Sequence, residues 1–273
     1  MKTSDNLSNT KPCFVFREPR TAGELADLLR LRYRVFSGCR LAPLVRRNAN
    51  RIDLDAWDRR SSHFGLYRVD LTADVAVGYI RVAEGRETPF STVVERIAEG
   101  CSLQSRISTP PARPYPLMSY FPDTDIIEAL LECLRSRGED LVEPSRLVMA
   151  PEYRTLRLSR FIIEASISVY FFQRRVAHAM GSCDSTKIRF YELFGFHRLP
   201  GSTVGDFLGI DEQSCCVFGS RRTVPEAVTS RLERMASALS ETEEICLCPF
   251  DRSRFTRPTS VSREPARSVD RIA

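Results

Sequence analysis

The stretch Leu141-Val142-Glu143-Pro144-Ser145-Arg146-Leu147-Val148-Met149-Ala150 holds the residue types and spacing best suited to chemistry. Period-two alternation in a strand sends Glu143, Ser145, Leu147 and Met149 to one face and Arg146 and Val148 to the other. A carboxylate and a hydroxyl then share a face of an otherwise apolar strand, where polar groups are expensive unless paired or used. Pro144 cannot donate to a sheet ladder, which predicts a bulged or splayed strand opening a cleft in which Glu143 and Ser145 meet a substrate. A structural ion pair made by Glu143 and Arg146 with their neighbours is the competing reading, and the stretch alone does not decide between them.

The elements that must position this strand are legible from periodicity. Cys13 to Phe16 reads as a strand, and Thr21 caps a helix with Leu25, Leu28, Leu29, Val35 and Phe36 on its apolar stripe. Arg32 falls on that stripe and needs a carboxylate. The acids Asp53, Asp55 and Asp58, beside the single tryptophan, Trp57, are its natural partner. Residues 37 to 52 read as an exposed loop ending in the basic run Arg46-Arg47-Asn48-Ala49-Asn50-Arg51. His63 to Val69 and Val75 to Val82 form a hairpin turning at Asp70 to Asp74, with Val77, Tyr79 and Arg81 on one face of its second strand. An amphipathic segment from Phe90 to Ala98 precedes a proline-rich loop, and Asp123 to Leu134 is helical. Further helices are expected at Leu156 to Phe172, Ser185 to Leu193 and, on the surface, Pro225 to Leu239. Strands are expected at Val176 to Met180, after Gly195, and at Ser214 to Gly219.

Composition narrows the class. At 273 residues, 42% hydrophobic and 27% charged, the chain fits one soluble α/β domain with tails, and no apolar run reaches membrane-spanning length. The polar first ten residues lack a signal-peptide core, so a cytoplasmic protein is expected. The nine cysteines show neither C-x-x-C nor zinc-ligand spacing and are expected to be reduced thiols; three histidines argue against a His-rich metal site. A formal charge of +5, carried mostly by arginine, invites an acidic partner. No aromatic-basic module supports nucleic acid. Expected boundaries are a disordered N-terminus over 1–12, one domain over 13–240 and a basic, disordered tail over 241–273.

Four segments together carry a resemblance: Leu31-Arg32-Tyr33-Arg34-Val35-Phe36, Asp53-x-Asp55-x-x-Asp58, Gly78-Tyr79-Ile80-Arg81 and Glu143-Pro144-Ser145-Arg146. Their order and approximate spacing resemble the acyl-homoserine-lactone synthases, a branch of the GNAT-like acyltransferase fold. Asp58-x-x-Ser61-x-His63-Phe64 and Arg146-Leu147-x-x-x-Pro151-x-Tyr153-Arg154 look closer to the N-acyl amino acid synthases of the same superfamily and to exosortase-associated acyltransferases. The resemblance covers roughly residues 14 to 220. It implies an α/β (α+β) fold with a mixed central sheet, a splayed or bulged strand and flanking helices. It also implies an N-acyltransferase taking a fatty acyl group from an acyl carrier protein thioester to the amine of an amino acid or amino-acid derivative. No bound cofactor or metal is implied, the acyl carrier protein being co-substrate and partner.

Carried over by position, Glu143 is the candidate general base acting through water, Ser145 orients a substrate, and the backbone near Pro144 and after Met149 offers N–H groups to an oxyanion. Arg32, Phe36, Asp55, Asp58, Arg81 and Arg146 shape the acceptor pocket. Tyr191 stands where related enzymes place an acid for the leaving thiol, and equally reads as a packed aromatic. Phe161, Phe171 and Phe172 are candidates for an acyl tunnel or for core. One departure concerns the turn Arg154-Thr155-Leu156-Arg157-Leu158-Ser159-Arg160. It lacks the glycine with which CoA-dependent relatives bring backbone N–H groups to a pyrophosphate, whereas a phosphopantetheine presents one phosphate. Arg154, Arg157 and Arg160 recur every three residues and are candidates for a rim steering an acidic carrier protein. The alternatives are a lactone synthase using S-adenosylmethionine, a conventional acyl-CoA N-acetyltransferase, and a catalytically silent module that binds carrier protein.

Overall fold

The computed structural model describes residues 12–69, 74–119, 121, 124–202, 205–206 and 213–247. The hairpin turn, apart from Asp74, and the segment from Asp251 onward lie outside the described residues, as does Asp123. Among the described residues, nine strands form one sheet: β1 (Phe14–Arg17), β2 (Ser61–Arg68), β3 (Val75–Ala83), β4 (Leu141–Met149), β5 (His178–Asp184), β6 (Phe196–Arg198), β7 (Gly205–Asp206), β8 (Gln213–Ser220) and β9 (Ile245–Leu247). Their order is β6-β8-β5-β4-β3-β2-β1-β9, with β7 also on β8. Only β4 and β5 pair in parallel, which makes the sheet mixed.

Among the described residues six α-helices flank it: α1 (Ala22–Ser37), α2 (Ser91–Gly100), α3 (Thr124–Ser136), α4 (Leu156–Ile167), α5 (Ile188–Glu192) and α6 (Glu226–Thr242). Thr21 caps α1 as its sequence predicts, its Oγ1 accepting the Glu24 N–H at 3.1 Å. The α1 stripe of Leu28, Leu31, Val35 and Phe36 packs on Tyr79, Val148 and Ala150 of one sheet face. Across the sheet, α4 and α6 pack on Phe64, Leu66, Ile80, Val82 and Met149. Leu232 and Leu239 of α6 are buried in that core, so this helix is amphipathic rather than merely superficial. A π-helical turn (Ser168–Gln173) continues α4.

Local irregularities correct the expected register. Tyr67 pairs with Ala76 while Leu66 pairs with Gly78, so Val77 is an extra residue and joins the α4-side core, not the face of Tyr79 and Arg81. β9 falls inside the segment assigned to the tail: it pairs antiparallel with β1, placing Ile245 in the core and extending the sheet beyond residue 240. Cys13, at that same edge, is disulfide-bonded, contrary to the expectation of reduced thiols; the other seven described cysteines are free. No helix among the described residues is long and apolar enough to cross a membrane.

Candidate active site

The cleft arises where β4 and β5 part. Their pairing ends after Leu141↔His178 and Val142↔Ala179, although β4 runs on to Met149 and β5 to Asp184. Pro144 stands just past the last pair and brings no donor to the gap. On the other side, β3 pairs Tyr79 with Val148 and Arg81 with Ser145, leaving Arg146 and Leu147 opposite Ile80 alone. This is a β-bulge, and Arg146 holds it with a left-handed φ of 56°, a conformation that non-glycine residues adopt rarely and mostly at functional sites. Simple alternation therefore fails: Glu143, Pro144, Ser145, Arg146 and Leu147 all line one cavity of about 970 Å³.

Glu143 is a buried acid of the cavity, 2% exposed. One Oε accepts the Leu117 N–H at 3.0 Å, a donor delivered by the turn that ends the proline-rich loop. Burial outweighs that bond and the attraction of Arg81 and Arg146, pushing the carboxyl up to about 8. Ser145 Oγ accepts from Arg81 Nε at 3.2 Å.

A buried ion network backs the N-terminal side of the cavity. Arg32 grips both oxygens of Asp58 at 2.8 Å and also reaches the Asp53 carboxylate at 2.8 Å and the Asp53 carbonyl at 2.6 Å. The expected partner of Arg32 is thus present, but Arg32 and Asp58 stand behind the cavity wall rather than on it. Burial opposes the charge on Asp58, yet Arg32 and Arg81 hold its carboxyl far below the usual range. Asp55 caps the turn over Ala56–Arg60 and accepts from Arg81 at 2.6 Å and Arg146 at 3.2 Å. Arg81 also reaches Asp58 at 3.0 Å, and its other terminal nitrogen, Nη2, is buried without a hydrogen-bond partner among the described residues. Arg146 stacks its guanidinium on the Phe36 ring at 5.4 Å. His63 contacts the Tyr79 hydroxyl at 2.9 Å and the Asp58 carbonyl at 3.0 Å; burial brings its imidazole down to about 4, so it is neutral at neutral pH.

The C-terminal side is mostly apolar. Ile163, Ile167 and Tyr170 from α4 and its π turn face Cys183, Phe190, Tyr191, Phe196 and Val217. Tyr191 lines the cavity, its hydroxyl pushed up to about 12 by burial and by nearby Cys183, so it stays protonated. Phe161, Phe171 and Phe172 do not line it: the first two are fully buried and the third packs against the same core, because the cavity meets the Leu156, Ser159, Ile163 and Ile167 face of α4. The expected arginine rim is likewise divided. Arg154 donates to the Met149 carbonyl at 3.1 Å, Arg160 pairs with Glu164 at 2.8 Å, and neither they nor exposed Arg157 line the cavity. The N–H of Ala150 donates to the Val77 carbonyl at 2.8 Å and is not free for an oxyanion.

Several lining residues escape sequence reasoning. Trp57 and Asp53 were visible as the acidic cluster, but Arg46, Arg106, Ser182 and Lys187 come from segments without a motif.

The splayed, bulged strand, the mixed sheet and its flanking helices define a GNAT-like acyltransferase fold. The chain is similar to FeeM, an N-acyl amino acid synthase from uncultured soil microbes, at 13% identity and a TM-score of 0.50 over 81% of this chain and 98% of that one. It is also similar to the CoA-dependent acyl-homoserine lactone synthase BjaI (15% identity, TM-score 0.46, 78% and 82% covered). An acyl-CoA N-acyltransferase from Pseudomonas aeruginosa is similar at 14% identity, TM-score 0.45, with 77% and 100% covered. No protein-family model and no curated protein matches the sequence.

Proposed function

We propose that this protein is an N-acyltransferase that moves a fatty acyl group from an acyl carrier protein thioester to the amine of an amino acid or amino-acid derivative. The observation that carries the reading is Glu143: a buried carboxyl raised to about 8, at the parting of β4 and β5, between an ionic and an apolar half of one cavity. A group that gains and loses its proton near neutral pH suits an incoming ammonium, which must shed a proton before it attacks. The acyl chain lies in the apolar half and the acceptor in the ionic half, so the thioester carbonyl sits beside Glu143 and Ser145. Attack forms the C–N bond while the proton passes through water to Glu143. The N–H groups of the Arg146–Leu147 bulge face the oxyanion, and collapse breaks the C–S bond as the Tyr191 hydroxyl protonates the thiolate and regains its proton from the attacking nitrogen, which thereby becomes the neutral amide. Arg32 and Asp58 act from behind, fixing Asp55 and Arg81.

Two features favour a carrier-protein donor. The turn into α4 has no glycine, and its Thr155 cap places Leu156, 76% exposed, where a pyrophosphate would need close backbone approach. Arg154, Arg157 and Arg160 are exposed at and beside that turn but outside the cavity, where they meet an acidic carrier rather than its prosthetic arm. Mass spectrometry of products from acyl carrier proteins of several chain lengths, with pooled amino acids plus S-adenosylmethionine and matched acyl-CoA reactions, tests the reading. An N-acyl amino acid formed only from the carrier protein is expected. A lactone would assign the synthase alternative, product only from CoA would overturn the donor, and no product would overturn the enzyme.

A further inference from the structure

We infer that Tyr115 is a positioning residue for Glu143: its hydroxyl pins the proline-rich loop to the start of β4 and so holds the Leu117 N–H against the Glu143 carboxyl. The geometry stands by itself, and its consequence for catalysis rests on the acyl-transfer reading of the cavity.

Two bonds run side by side from this loop to β4. The Tyr115 hydroxyl donates to the Leu141 carbonyl at 2.6 Å, and the Leu117 N–H donates to Glu143 Oε2 at 3.0 Å. Alternate residues of the loop thus meet alternate residues of the strand. Both donors are buried, Tyr115 at 7% and Leu117 at 1% exposure, in an apolar cluster with Met118, Leu134, Leu141 and Met180. A phenylalanine ring would fill that cluster equally well, whereas a buried hydroxyl is costly unless bonded, so the oxygen of Tyr115 has its use at Leu141. The surroundings make room for it: Gly85 has a φ of 69°, and a side chain there would bring a carbon within 3.1 Å of the Tyr115 hydroxyl. Around the two bonds the chain turns, with the Met118 N–H on the Tyr115 carbonyl at 3.3 Å and the Phe121 N–H on the Leu117 carbonyl at 3.1 Å. Farther back, the Trp57 indole donates to the Arg113 carbonyl at 3.2 Å.

The acid chemistry gives this loop a task. A backbone N–H donates to a lone pair, so Leu117 engages Oε2 and leaves Oε1 to take the proton of the incoming amine. The same bond favours the charged carboxylate and so works against burial, which raises Glu143 to about 8. Arg81 of β3 and Arg146 of β4 act in the same direction as Leu117, and Asp55 acts with burial. Tyr115 itself and Cys216 of β8 also lie near Glu143; burial, and then that carboxyl, push both up to about 12, so they stay protonated while it titrates. Losing the Leu117 bond therefore strengthens the hold of Glu143 on its proton and removes active base at neutral pH.

Infrared titration of the full chain reads Glu143 directly, its carboxyl band being the one that Glu143→Gln removes. Tyr115→Phe keeps the ring and deletes the hydroxyl. In this variant Glu143 is expected to bind its proton about tenfold more tightly than in the wild type. The rising limb of kcat/KM should move to higher pH by the same factor, with KM unchanged. Leu134→Ala loosens the same cluster from α3 and is expected to leave the Glu143 midpoint in place. A second reading needs no loop variant: the Leu117 amide resonance of the wild type should follow the Glu143 midpoint and lose that titration in Glu143→Gln. An unmoved or lowered midpoint in Tyr115→Phe, an equal rise in Leu134→Ala, or a Leu117 amide blind to Glu143 overturns the inference. A midpoint that rises in a protein transferring no acyl group keeps Tyr115 in its place and overturns the acyl-transfer reading; acyl transfer with an unmoved midpoint does the reverse.

Discussion

At the scale of single residues, Glu143 joins two roles that pull in opposite directions. Its carboxyl is raised from 4.5 to about 8, so the folded protein holds a proton that the unfolded chain releases between those values. Stability therefore falls as pH rises through this window, while the fraction of active base rises. Glu143→Gln keeps the shape and the bond from Leu117 but removes the titration. Its kcat is expected to fall by about 10²-fold or more, and the wild-type rise of kcat/KM with pH toward 8 should disappear. In the same variant, stability relative to wild type should climb from pH 4.5 to 8 in denaturant titrations; a constant difference would mean that Glu143 is not held neutral. Sequence made this acid conspicuous because a carboxylate beside proline in an apolar strand needs a reason. It made Arg32 conspicuous likewise, and Asp58 supplies both of its oxygens.

At the scale of elements, the site depends on one bulge. Arg146 combines a left-handed backbone with a guanidinium that reaches Asp55, and the two contributions can be separated. Arg146→Gly removes the charge and relieves the backbone; Arg146→Val removes the same charge but forces a β-branched residue into a conformation that costs roughly 1–2 kcal/mol even for simpler side chains. Both variants should lose acyl transfer, and denaturant unfolding should rank Gly above Val by at least about 1 kcal/mol. Equal stabilities would indicate that the bulge relaxes. The apolar half offers a second handle: Ile163 and Ile167 are wall residues, so Ile167→Phe shortens the chamber. With about 0.8 kcal/mol per methylene at stake, products from mixed acyl donors should shift toward shorter chains, whereas an unchanged distribution would place the acyl group elsewhere. The strand and helix order was legible because each long element has its own period, and Pro144 announced the splay. The bulges were not, because an extra residue shifts faces without changing composition. β9 was hidden by brevity: Ile245-Cys246-Leu247 has too few residues to show alternation, and only the exposed edge of β1 gives it a place.

At the scale of the whole molecule, the sheet separates the site from the edge that closes the fold. β4 and β5 lie at its middle, whereas β1 and β9 form one end, and neither of these contributes a cavity residue. That end has its own buried cation: Arg17, 1% exposed, lies over the Tyr67 ring at 4.1 Å and binds Glu24 at 2.7 Å and Asp74 at 3.1 Å. Glu244, just before β9, pairs with Arg20 and approaches Arg17, so docking β9 covers charges as well as burying Ile245. Ile245→Ala removes the buried side chain and leaves the ion pairs in place. Truncating a buried isoleucine costs about 2–5 kcal/mol, with the lower end expected at a sheet edge that can adjust. Thermal melts should show that loss as a clear fall in Tm, and activity per folded molecule, measured well below the melt, should match wild type. A fall in activity without a fall in Tm would reverse the argument and tie the edge of the sheet to the chemistry at its centre.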